Sequence, residues 1–323
     1  MSPTAKQSYV GGSLLEGSIN SDFDFIVPAF IDIHCHGGGG KYFSEDAQIA
    51  RYIHAKNGTK FQLASLVTQD LDTLINQISM LKSADIFGIH LEGPYLSKRY
   101  CGAHDPALLR TPNLDEIKRL IEVGSGMIKM ITIAPELPNA IKVIEYLVEN
   151  KIVVAIGHSD ANSKETRDAI SAGASVVTHF NNGMAKIPTK DSLSEATLNS
   201  NLYLELIADG IHVTSENLLQ IMNMAHDRII AVTDAMSAAG CADGDYSIGN
   251  LEVTVTNKVA KLKDTETLAG STLTMLDAFF NLNELVGLER AVQYTSLNAA
   301  KLLGLDPYEN YIGIKSREIT YLQ

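Results

Sequence analysis

Imidazoles and carboxylates recur along this chain at spacings that suit metal-assisted hydrolysis. His34 and His36 follow the apolar run of residues 29–33 in VPAFIDIHCHGGGG, and four glycines then release the chain. Side chains alternate along a strand, so the two imidazoles share one face at its C-terminal end. There they form either part of a metal site or a packed core pair. Related residues close later apolar runs: His90 and Glu92 in HLEGPYLS, His158 in GHSDA, His179 in THFNNGM, Asp209 and His212 in ADGIHV, and Asp234 in VTDAMSAAG. Aimed at one place, these groups would cost heavily in desolvation unless paired or bound to an ion. Imidazole and carboxylate together suit Zn²⁺, Fe²⁺, Mn²⁺ or a similar divalent metal. Asp234 is then a base able to take a proton from water acidified by the metal; its alternative role is to cap the turn before Ala235.

A repeating strand and helix pattern supplies the elements that could gather them. Apolar runs predict strands reaching His36 from residue 25 and over 61–67, 85–91, 127–133, 152–156, 175–178, 203–208 and 229–232. Helical periodicity falls between them, over 45–56, 70–82, 114–122, 138–149, 163–172, 193–199 and 215–225. Eight successive βα steps predict an α/β fold, a closed TIM-type (β/α)8 barrel, whose chemistry gathers at the C-terminal strand ends. Residues 245–263 alternate like a β-hairpin excursion, helices are expected over 273–286 and 289–303, and residues 313–323 read as a last strand able to pair with the N-terminal segment. The expected division is a barrel over 27–305 and a small β domain built from 1–26 and 306–323.

The 323 residues suffice for a large core, and 45% hydrophobic with 20% charged residues fits an ordered globular chain. A formal charge of −12 argues against nucleic acid or an anionic membrane as partner, and any anionic substrate needs local cations. No apolar run reaches about 18 residues, and MSPTAKQSYVGG has no apolar signal core, so a soluble protein is expected. Cys35, Cys101 and Cys241 are odd in number and widely spaced, which suits the reducing cytoplasm; Cys35 is expected to face the surrounding helices.

The ordered set PAFIDIHCHGGGG, HLEGPYLS, CGAHDPALL, IGHSDA, THFNNGM, ADGIHV, VTDAMSAAG and LAGSTLTM runs from about Val27 to Ala300. It resembles the N-acetylglucosamine-6-phosphate deacetylases of the amidohydrolase superfamily. The resemblance implies hydrolysis of the acetamide of N-acetylglucosamine 6-phosphate to glucosamine 6-phosphate and acetate, by a homodimer holding one or two divalent metal ions. Glu92, His158 and His179 match the main metal ligands, and His34 and His36 match the pair found in members able to hold a second ion. Asp234 matches the catalytic acid/base. His104 in GAHDP matches a residue that contacts the sugar and orients the amide, Asn182 and Gly183 the turn that holds substrate, and His212 a phosphate contact crossing the dimer interface. His90 has no such role and reads as a buried, hydrogen-bonded histidine.

Two features depart from that family. The loop AKIPTKDSLS lacks the arginine used for phosphate, leaving Lys186 or Lys190 as a point charge without a bidentate fork. The terminal segments are also short for the family's small β-sandwich. Deacetylation of N-acetylgalactosamine 6-phosphate or of an unphosphorylated sugar is therefore a competing reading, as is a sugar-phosphate binding protein without catalysis.

Overall fold

The computed structural model describes residues 3–18 and 21–322; Met1, Ser2, Ile19, Asn20 and Gln323, which fall in the expected terminal β segments, lie outside the described residues. Eight parallel strands form the barrel: Phe30–Cys35, Thr59–Leu66, Gly88–Glu92, Ile128–Ile133, Val153–Ile156, Val176–Val177, Tyr203–Ile207 and Ile229–Val232. Their order in the sheet is their order in the chain. The ring closes where the Asp234 N–H donates to His34 O and the His36 N–H donates to Ala235 O, each at 2.8 Å. Barrel strands are covered on both faces, which is why they read as nearly continuous apolar runs. Every residue of Phe30–Cys35 and of Gly88–Glu92 is buried.

The connecting helices follow local rules. In Leu71–Leu81, Asp70 caps the first turn by accepting from the Thr73 N–H, and Leu74, Ile78 and Leu81 form the buried stripe. Asn113 and Asn162 cap Leu114–Gly124 and Ser163–Ser171 in the same way.

The first barrel strand begins later than the sequence pattern predicts. Residues 25–28 belong to Phe23–Pro28, a strand of a separate five-stranded sheet with Ala5–Val10, Ser13–Glu16, Tyr311–Lys315 and Glu318–Leu322. Val27 lies opposite Ile312 and Pro28 opposite Tyr311. Pro28 has no N–H to continue a ladder, and the chain changes partners at once: Ala29 N–H donates to Asn310 O and Phe30 N–H to Gly58 O. The tail is two strands rather than one. Phe279 joins this sheet to the barrel, its ring 5.6 Å from that of Phe25 and 5.4 Å from that of Phe30.

After the eighth strand comes a three-stranded antiparallel sheet, Gly244–Ile248, Leu251–Thr256 and Val259–Leu262, where a hairpin is expected. Its first strand, GDYSI, is largely exposed and carries no apolar alternation, so the pattern hides it. Ile248, Val253, Val255, Ala260 and Met236 form a small core of their own. The two late helices are Met275–Val286 and a longer rod running from Leu288 to Leu303, continuous through a π-helical turn at Gln293–Leu297. Among the described residues, no helix is long and apolar enough to cross a membrane.

Candidate metal centre and active site

Three side chains from three strand ends converge. Glu92 Oε1 lies 3.1 Å from His158 Nε2 and 3.1 Å from His179 Nε2, and the two imidazole nitrogens are 2.9 Å apart. The far nitrogens fix the protons. His158 Nδ1 meets Tyr100 O at 2.7 Å and His179 Nδ1 meets Asn182 O at 3.2 Å. A carbonyl oxygen only accepts, so Nδ1 carries the proton in each ring and Nε2 presents a lone pair to Glu92. Three electron pairs thus face one another with no hydrogen between them. That donor set fits a divalent cation.

The HxH pair completes a second group with Glu92. His34 Nε2 and His36 Nε2 are 3.2 Å apart, and Asp234 Oδ1 lies 3.4 and 3.2 Å from them. Again the outer nitrogens are held: His36 Nδ1 by Ser65 O at 3.1 Å, and His34 Nδ1 by the Glu205 carboxylate at 2.9 Å. Burial works against charging His36, but hydrogen bonds and charge from Asp234 and Glu92 outweigh it and push its pKa up to about 9. Glu92 and Asp234 conversely fall well below the usual carboxylate range, because nearby imidazoles overcome the penalty of burial. The pocket asks for positive charge, which a metal ion would supply.

Backbone strain collects here. His158, His179 and Asp234 all have positive φ, at 46°, 27° and 48°. Such conformations cost of order 1–3 kcal/mol each and persist where the surroundings hold them. Gly183, also left-handed, leaves little room for a side chain: a Cβ would sit 3.0 Å from His158 Nδ1.

The cavity over these groups measures about 270 Å³ and is lined by His36, Glu92, His104, Asn182, Gly183, Lys186, His212 and Asp234 among others. His104 Nε2 lies 3.3 Å from Glu92 Oε2. Burial pushes its pKa down to about 4, so the ring is neutral near pH 7. The Thr68 backbone N–H donates to its Nδ1, which leaves the proton on Nε2, the nitrogen on the Glu92 side. His212 is held by Asp209, Nδ1 to Oδ2 at 2.7 Å. Lys190 is the expected residue that is not brought in: it lines a separate surface pocket with Pro188 and Met224, while Lys186 lines the cavity.

His90 is buried below the site, bonded to Ser65 Oγ and Thr132 Oγ1 at 2.9 and 2.8 Å. Cys35 points outward to His54 on helix Phe43–Lys56, Sγ to Nε2 3.3 Å. Two acids escape the sequence pattern. Asp32 accepts from Thr233 Oγ1 at 2.6 Å and from the His34 N–H, tying the first strand to the eighth. Glu205 sits in the apolar run YLELI and is fully buried. A carboxylate in a doubly covered strand is the only signal that could have marked it.

The closed barrel with polar groups at its C-terminal mouth defines a class, and the sequence comparison agrees: the chain belongs to the amidohydrolase family, whose model matches residues 25–310. It is 33% identical to N-acetylgalactosamine-6-phosphate deacetylase of Escherichia coli O157:H7, an alignment covering 88% of this chain and 80% of that protein. It is 34% identical to N-acetylglucosamine-6-phosphate deacetylase of Lysinibacillus sphaericus, over 91% of this chain and 79% of that one. A mutant of N-acetyl-D-glucosamine-6-phosphate deacetylase from Mycobacterium smegmatis, solved in complex with N-acetyl-D-glucosamine-6-phosphate, superposes with a TM-score of 0.92 at 33% identity, covering 99% of this chain and 97% of that chain.

Proposed function

We propose that this enzyme hydrolyses the acetamide of N-acetylglucosamine 6-phosphate to glucosamine 6-phosphate and acetate. The observation that carries the reading is the convergence of Nε2 lone pairs and Glu92 beside Asp234, at the floor of a cavity with His104 and Lys186 on its walls. Glu92, His158 and His179 would hold a divalent cation such as Zn²⁺, Fe²⁺ or Mn²⁺, with His34 and His36 available for a second. When bound, that metal supplies Lewis-acid chemistry, polarising the acetyl carbonyl and acidifying the attacking water.

The chain's own groups do the rest. Asp234, kept ionised, takes the proton of the attacking water and returns it to the departing sugar nitrogen. Neutral His104 donates from Nε2 to the oxygen on which charge develops. Asn182 and Gly183 hold the sugar, Lys186 offers a cation for the phosphate, and His212, which lines this chain's own cavity and not a partner's as the resemblance implies, contacts the phosphate there in a homodimeric enzyme. A cytoplasmic setting matches three cysteines that remain free thiols.

Acetate release from N-acetylglucosamine 6-phosphate, N-acetylgalactosamine 6-phosphate and unphosphorylated N-acetylglucosamine tests the reading. The first is expected to be turned over fastest. The 33% identical Escherichia coli relative favours the galactosamine epimer as the second reading, and preference for it would replace the first. Tight sugar-phosphate binding with no acetate released from any of the three would leave a binding protein.

A further inference from the structure

Glu205 belongs to no step above, yet its position is demanding. It is fully buried in the seventh strand, and its Oε1 has no hydrogen-bond partner among the described residues. Its Oε2 does double duty. It accepts hydrogen bonds from the Nδ1–H of His34 at 2.9 Å and from the backbone N–H of His179 at 3.0 Å. In the neutral ring, the form that binds metal, the first bond leaves Nε2 of His34 free of hydrogen and aimed at His36, Asp234 and Glu92. The second clamps a residue whose φ of 27° is strained, at the end of the sixth strand. One carboxylate therefore braces a donor in each of the two groups that share Glu92.

The other three imidazoles of these two groups, His158, His179 and His36, rest on the carbonyl oxygens of Tyr100, Asn182 and Ser65. Of these four, and among the described residues, His34 alone rests on a carboxylate, the stronger acceptor, which makes its ring a better electron donor. We propose that Glu205 is a positioning residue that fixes the tautomer and orientation of His34, so that metal held by the His34, His36 and Glu92 group depends on a carboxylate that does not itself touch the ion. Its effect on His179 is smaller, because there it holds a backbone amide rather than the ring.

Metal-stripped protein is titrated with Zn²⁺ against a chromophoric chelator, for wild type, Glu205→Gln, His34→Gln and the double variant, with unfolding midpoints measured in parallel. Glu205→Gln is expected to weaken Zn²⁺ at the His34 group by about 10–100-fold. Once His34 is Gln it should add only the smaller loss carried through the His179 amide, since the ring it orients is gone. Equal affinities in wild type and Glu205→Gln, or independent losses in the double variant, overturn the proposal. The inference rests on the metal reading of the site, and the two fail differently: wild type that takes up no Zn²⁺ removes that reading itself. Should Glu205→Gln not fold, proton NMR of the stripped wild type decides. A far-downfield imidazole N–H resonance that disappears in His34→Gln supports the proposal, and its absence from wild type overturns it.

Discussion

Asp209 Oδ2 and His212 Nδ1 stand 2.7 Å apart at the cavity wall, and the same carboxylate also accepts the backbone N–H groups of Ile211 and His212. Burial raises the Asp209 carboxyl, but the hydrogen bond and charge of His212, with those two amides, outweigh it and hold the pKa below its ordinary 3.8. Because the folded value lies below the unfolded one, this stabilisation is fully present above about pH 4 and is lost as pH falls through the folded value. Asp209→Asn should therefore cost about 1–3 kcal/mol at pH 7, and less as the pH drops below 4. Urea unfolding of both proteins between pH 7 and pH 3.5 checks this; a gap that stays constant would separate the stability cost from ionisation.

Asp234→Asn removes a proton carrier while preserving shape. Turnover is expected to fall by about 10²–10⁴-fold, with metal content unchanged. Steady-state acetate release paired with elemental analysis reads both, and near-normal turnover would remove Asp234 from its role.

Occupation of the Glu92, His158 and His179 group should stabilise the fold. Zn²⁺ added to stripped protein at about 100 times its Kd is worth about 2.7 kcal/mol, visible as a higher unfolding midpoint. Glu92→Gln should lose most of that gain, because its oxygens face every imidazole in the centre. An equal Zn²⁺-induced shift in the variant would count against the ligand assignment.

The two loop lysines separate by position. Lys186→Ala is expected to raise KM for the phosphorylated sugar by about tenfold and leave the unphosphorylated one unaffected, whereas Lys190→Ala should change neither. Kinetics of the two variants on the two sugars decide; a Lys190 effect equal to that of Lys186 would mean that the loop closes over bound substrate.

The barrel and the convergent residues were legible because strand ends are marked twice, by an apolar run and by the polar residue that halts it. His34, Glu92, His158, His179 and Asp234 all carry that mark. Glu205 does not, since it lies inside its run and declares itself only through what it touches in three dimensions. Asp32 is hidden similarly, two residues before a more conspicuous histidine. The choice between Lys186 and Lys190 was closed to sequence because four residues of loop can point either charge inward. The strand Gly244–Ile248 was missed because an exposed edge needs no alternation.

The sheet inserted after the eighth strand has its own core, and the segment returning from it, with Glu266, Thr267, Leu268 and Gly270, lines the cavity and comes back beside Asp234. The barrel holds the candidate metal ligands, while this separately stabilised piece supplies part of the cavity wall. A substitution in that wall would then reshape the cavity without disturbing the strands that carry the imidazoles.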